Sequence, residues 1–212
     1  MTRLAPALVL CLTSPATAQE AWPMADCLTA LQEIAQAEAA EVPEADDPLC
    51  TFPTPVRMTA IETETGPVLL SGDPIFQCDF ALAVATYVRD DLVPAATLHM
   101  EDRLDAIGTG NGFVCRRRNG APDGKFSEHA FGNAIDITTF RFDGSLLVVA
   151  ESEDLSADEE AFFDVARKSA CDDFTTVLGP GSNAAHADHF HFDLGRSVKE
   201  GLRVAEPYRI CE

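Results

Sequence analysis

Two windows of the sequence concentrate the residues that do metal chemistry. Ser127-Glu128-His129-Ala130-Phe131-Gly132-Asn133-Ala134-Ile135-Asp136-Ile137 supplies a His and an Asp seven positions apart. His186-Ala187-Asp188-His189-Phe190-His191-Phe192-Asp193 supplies three His within six. Four of the five His in the chain fall in these windows, a crowding that a shared cation explains most simply. A set of His, Asp and His is the donor chemistry of a catalytic zinc, because three protein ligands leave a fourth tetrahedral position for water. Water held there ionises near neutral pH and becomes a nucleophile. Each window alone has a plainer explanation, a polar turn for the first and an exposed strand edge for the second. Their joint presence points to zinc.

The elements that must hold these residues are readable from the local pattern. Gly132 marks a tight turn or a close backbone approach, since without a Cβ it accepts positive φ. Ala134 to Thr138 reads as a strand whose alternation turns Asp136 away from Ile135 and Ile137. In the second window His189, His191 and Asp193 share one strand face, and Phe190, Phe192 and Leu194 share the other. Two rings in the core behind two imidazoles make a rigid shelf. Ser127 is expected to brace the first loop and Glu128 to be solvated. Asp193 reads as a strand-end acceptor, or as a carboxylate orienting a His through its other ring nitrogen.

The order Ser-x-His-x-x-Gly-x-Ala-x-Asp followed by a late His-x-His resembles the signature of zinc peptidases that cut bacterial cell-wall peptides. That group includes the D-Ala-D-Ala carboxypeptidases, the penicillin-insensitive murein endopeptidase and the lysostaphin group. More narrowly, Cys115-Arg116, Ser127-Glu128-His129-Ala130, Asn133-Ala134-Ile135-Asp136, Leu178-Gly179-Pro180-Gly181 and Asp188-His189-Phe190-His191 are similar to the bacterial extensin-like C-terminal domain. The resemblance covers residues 27 to 211.

It implies zinc (Zn2+) on His129, Asp136 and His191. It also implies that His189 lies beside the metal, that His186 completes a His-x-x-His-x-His spacing as in the murein endopeptidase branch, and that Arg116 holds a substrate carboxylate or carbonyl. The carboxypeptidase branch has a Glu three positions before the last ligand as general base, and here Asp188 stands in its place. The base therefore falls to Asp188 or His189, with His186 behind them. Alternation turns Asp188 away from the face of His191. The implied activity is that of a D,D- or L,D-carboxypeptidase or endopeptidase, a zinc metallopeptidase hydrolysing amide bonds of peptidoglycan stem peptides. The alternative is a catalytically inactive, zinc-containing wall-binding module.

Met1 to Ala18 reads as a cleavable secretory signal: Arg3 forms the positive end, Ala5 to Leu12 the apolar run and Ala16-Thr17-Ala18 the cleavage site. Export to the periplasm or beyond is expected, without a transmembrane anchor. Beyond Cys11 the chain holds Cys27, Cys50, Cys78, Cys115, Cys171 and Cys211, an even set expected to form disulfides. The pairing taken is Cys27 with Cys50, by proximity, Cys78 with Cys115, and Cys171 with Cys211. A net charge of -20 with no basic stripe argues against nucleic acid as a partner. The sequence leaves the oligomeric state open.

An N-terminal segment, 19–50, is expected to lead into a single domain, 51–212. Cys27 to Ala40 has helix-like apolar spacing. Val56 to Thr63 and Val68 to Ser71 read as paired strands, and a buried helix is expected between Pro74 and Val93. Arg103 to Ile107 and Gly112 to Arg117 suggest a hairpin. Ser145 to Val149 and Phe174 to Leu178 read as strands, and Ser156-Ala157-Asp158-Glu159 as a capping box opening a helix to about Cys171. The expected fold is α+β: a small antiparallel sheet with flanking helices and the zinc site on the sheet, of the hedgehog and D,D-peptidase kind that the resemblance implies.

Overall fold

The computed structural model describes residues 23–151, 155–195, 198–199, 202–203 and 209–212. The expected signal segment, residues 1 to 18, lies outside them. In chain order the elements begin with α1 (Met24–Gln32), β1 (Ala35–Ala39), β2 (Pro55–Ile61), β3 (Val68–Ser71), β4 (Ile75–Gln77) and α2 (Cys78–Tyr87). The helical path of α2 continues through Val88–Leu92, α3 (Val93–Ala95) and Ala96–Met100. There follow β5 (Leu104–Thr109), β6 (Ala134–Phe142), β7 (Leu146–Val148), α4 (Ala157–Asp173), β8 (Thr176–Leu178) and β9 (Phe190–Asp193). A short pair, β10 (Val198–Lys199) and β11 (Leu202–Arg203), and then β12 (Ile210–Cys211), close the described chain.

The fold is α+β, but its sheet is neither small nor purely antiparallel. Ten strands join it in the order β1-β2-β3-β5-β6-β9-β8-β12, with β4 also on β2 and β7 also on β6. The pairs β3–β5 and β8–β12 are parallel. The local patterns that mark strands carry no signal for a partner far along the chain, so the parallel pairings and the strands β1, β4 and β12 were not read from them.

One face of the sheet is packed by α2 and α4. Phe140 and Phe142 of β6 meet Phe162 of α4 at ring-centroid distances of 5.1 and 5.4 Å, and Phe192 of β9 meets Tyr87 of α2 at 5.7 Å. Phe140, Phe162, Phe174, Phe192 and Tyr87 are all buried. Each such side chain contributes about 1.5–3 kcal/mol of apolar transfer. The capping box at Ser156 is present, with the Glu159 amide donating to Ser156 Oγ and the Ser156 amide to Glu159 Oε2, and α4 starts there.

Three local expectations give way to tertiary pairing. The helix expected over Cys27 to Ala40 ends at Gln32, and Ala35–Ala39 instead pairs antiparallel with β2, so the N-terminal segment is built into the sheet. Gly112 to Arg117 does not pair with β5. Gly112 bridges to Ile75 and Arg117 to Phe126, because β5 is already flanked by β3 and β6. Cys171 pairs with Cys211 as expected, but Cys27 bonds Cys78 and Cys50 bonds Cys115. The packing of α1 on α2 brings Cys27 to the first residue of α2, which outweighs its nearness in sequence to Cys50. Three disulfides are consistent with an extracellular or periplasmic compartment. Among the described residues no helix is long and apolar enough to cross a membrane.

Candidate metal centre

Strands β6 and β9 pair antiparallel in a register that sets Asp136 opposite His191 and Ala134 opposite Asp193. Residues directly opposite in such a pair share a face with Cβ atoms about 4.5–5.5 Å apart. Ile135, Ile137, Phe190 and Phe192 are buried in the core, so Asp136, His191 and Asp193 occupy the other face, as the alternation predicts.

His129 arrives from a single turn, Glu128–Phe131, held at both ends. The His129 amide donates to Ser127 Oγ, and Gly132 ends the turn at φ +60°, its amide donating to the His129 carbonyl. A Cβ on Gly132 would meet Gln77 N and Phe52 Cζ at 2.7 Å, so only glycine fits this junction. Val114 N–H donates to the His129 carbonyl from a third side.

Three donors converge here. His129 Nε2 lies 3.1 Å from Asp136 Oδ2 and 3.3 Å from His191 Nδ1, and His191 Nδ1 lies 2.8 Å from Asp136 Oδ1. Ligands about 2.0–2.1 Å from a tetrahedral ion sit about 3.3 Å from one another, so this donor set fits a zinc-sized cation. Both imidazoles are fixed from behind. His129 Nδ1–H donates to the Gly112 carbonyl at 2.7 Å, leaving Nε2 for the centre. His191 Nε2 is 3.1 Å from Asp193 Oδ2, and Asp193 Oδ1 in turn accepts from Gly195 N–H. Such outer partners set tautomer and ring orientation.

The electrostatics favour positive charge at this point. Burial works against the Asp136 carboxylate, yet the hydrogen bonds and charges of His129 and His191 prevail and hold its carboxyl far below the ordinary range. Burial also opposes the His191 imidazolium, but Asp136 and Asp193 outweigh it and raise its pKa to about 9.

The remaining expected residues surround the centre unequally. His189 Nε2 stands 3.5 Å from Asp136 Oδ1, and its Nδ1–H donates to Asp188 Oδ1 at 2.7 Å. The Asp188 side chain is 73% exposed, so Asp188 backs His189 and does not face the donors. The His186 ring lies 5.2 Å from that of His189 and 5.4 Å from that of His191. Arg116 Nη2 is 3.9 Å from Asp136 Oδ2. Its neighbours serve elsewhere: Arg117 lies over the Phe126 ring and 3.5 Å from Asp47, and Arg118 lies 3.8 Å from Glu128.

Glu128, expected in solvent, is buried at 5% exposure and accepts a hydrogen bond from Asn133 Nδ2 at 2.9 Å. Sequence reasoning also missed the Gly112 carbonyl and Asn183, whose Oδ1 accepts from His186 Nδ1–H. Asn183, three before His186, fits a side chain that caps the turn and was legible in principle. A backbone carbonyl 17 residues from its partner was not.

A family model described as extensin-like protein C-terminus matches residues 25–205. Comparison with curated proteins and with solved structures gives no match in either set.

Proposed function

The chain belongs to the extensin-like C-terminal family, and on that premise we propose that it is an exported zinc-dependent peptidase that hydrolyses amide bonds in peptidoglycan peptides. The observation that carries this reading is the convergence of His129 Nε2, the Asp136 carboxylate and His191 Nδ1 at tetrahedral-ligand spacing. Held by those three, zinc supplies Lewis-acid polarisation of an amide carbonyl and a bound water of lowered pKa.

The chain's own groups do the rest. His189 is the general base, since Asp188 fixes its Nδ1–H and leaves Nε2 to accept a proton and return it to the leaving amine. Asp188 acts through His189 as a positioning residue. Arg116, on the Asp136 side of the centre, holds a substrate carboxylate or the developing oxyanion with its guanidinium fork. His186 adds a further donor on the His189 side.

The exposure of Asp188 favours one rival, a wall-binding module that keeps zinc without hydrolysis, because the family position of the base does not face the donors. Mass spectrometry of peptidoglycan and free stem peptides incubated with the zinc-loaded chain separates the two. A fragment that the His129→Ala variant does not release is the expected result, and its mass identifies the bond. Zinc bound at one per chain with no cleavage of any wall substrate would overturn the peptidase reading in favour of the module.

A further inference from the structure

His186 and His189 are each fixed through Nδ1–H, on Asn183 Oδ1 at 2.8 Å and on Asp188 Oδ1 at 2.7 Å. Nε2 of each is left as the donor nitrogen. One donor atom from each of His186, His189 and His191 lies within 4.8 Å of the other two. Asp136 Oδ2 is 3.1 Å from His129 Nε2, while Oδ1 is 2.8 Å from His191 Nδ1 and 3.5 Å from His189 Nε2. Asp136 Oδ1 therefore stands between the first centre and His189.

We propose that His186 and His189, closed by Asp136 Oδ1, form a second and weaker site for a divalent transition metal beside the first. Imidazole donors select zinc, copper or nickel over magnesium and calcium. The second site is the weaker because Asp136 lies closer to the donors of the first centre, at 3.1 and 2.8 Å, than to His189, at 3.5 Å. Filling it withdraws His189 Nε2 from proton transfer, so excess zinc inhibits. Only that last consequence rests on the peptidase reading; the binding stands without it. Where the first centre is destroyed, His191 becomes the third donor of the second.

Equilibrium dialysis of the mature chain against buffered free zinc tests this, with cobalt as a visible-spectrum probe. The wild type is expected to take up one tight and one weaker ion. His186→Ala and His186→Gln keep the tight ion and lose the weaker, the Gln variant guarding against a folding artefact. His129→Ala loses the tight class yet still retains one ion, and the double variant His129→Ala/His186→Ala retains none. A single class in the wild type overturns the proposal, as does a weaker class that survives both His186 replacements, since that ion sits elsewhere on the acidic surface. A wild type with two classes whose tight class survives His129→Ala would contradict the proposed function and leave this site standing.

Discussion

At the residue scale, the centre depends as much on what stands behind the ligands as on the ligands. Asp193 Oδ2 meets His191 at its far nitrogen, at 3.1 Å, and so holds Nδ1 toward Asp136. Removing such an outer partner costs about 10–100-fold in metal affinity. Asp193→Ala is therefore expected to weaken zinc by about that factor in chelator competition, with the fold intact by circular dichroism; unchanged affinity would reduce Asp193 to a strand-end acceptor. The shared face of Asp136 and His191 was legible because their alternation with buried Ile and Phe residues is written in the chain, whereas His129 joined them only through the family resemblance. Glu128 was misread because nothing local announces that Asn133 folds back onto it. Asp188 and His189 were left as equals because the contact between them is a side-chain hydrogen bond, which spacing does not reveal.

At the element scale, the β6–β9 register is what places Asp136 beside His191, and the aromatic layer behind β9 holds that register. Phe192 stacks on Phe174 at 5.3 Å and meets Tyr87 at 5.7 Å, with none of its surface exposed. Phe192→Ala is expected to destabilise the fold by about 3–5 kcal/mol in urea denaturation, and to lower zinc affinity through strand disorder. A loss under 1 kcal/mol would mean that β9 is held by its hydrogen bonds alone. The strands of the site and the capped start of α4 were predictable because their signals are local. The strand β1 and the parallel pairing of β3 with β5 were not, because both are settled by contacts made across the sheet.

At the scale of the whole molecule, the charge of -20 leaves local strain. Burial raises the Asp173 carboxyl above its ordinary value of 3.8, and Asp91, Asp172 and Asp90 raise it further while Arg209 gives partial relief. A raised folded value means that the folded state holds the proton more tightly than the unfolded chain. Stability from this group is thus present at low pH and lost as pH rises from 3.8 through the folded value. Asp173→Asn is accordingly expected to raise Tm at pH 7 by roughly 1–2 °C, and to lose that advantage in acid or in high salt. No gain at pH 7 would show that Arg209 already neutralises the cluster. The disulfide set belongs to this scale too. Only Cys171–Cys211 was legible, since the other two bridges record helix packing and loop closure that no spacing encodes.

The central claim is one zinc on His129, Asp136 and His191, and anomalous scattering from crystals grown with zinc tests it most directly. A peak about 2.0–2.2 Å from His129 Nε2, an Asp136 oxygen and His191 Nδ1 is the predicted result. A peak confined to His186 and His189, or none with zinc in excess, would contradict it.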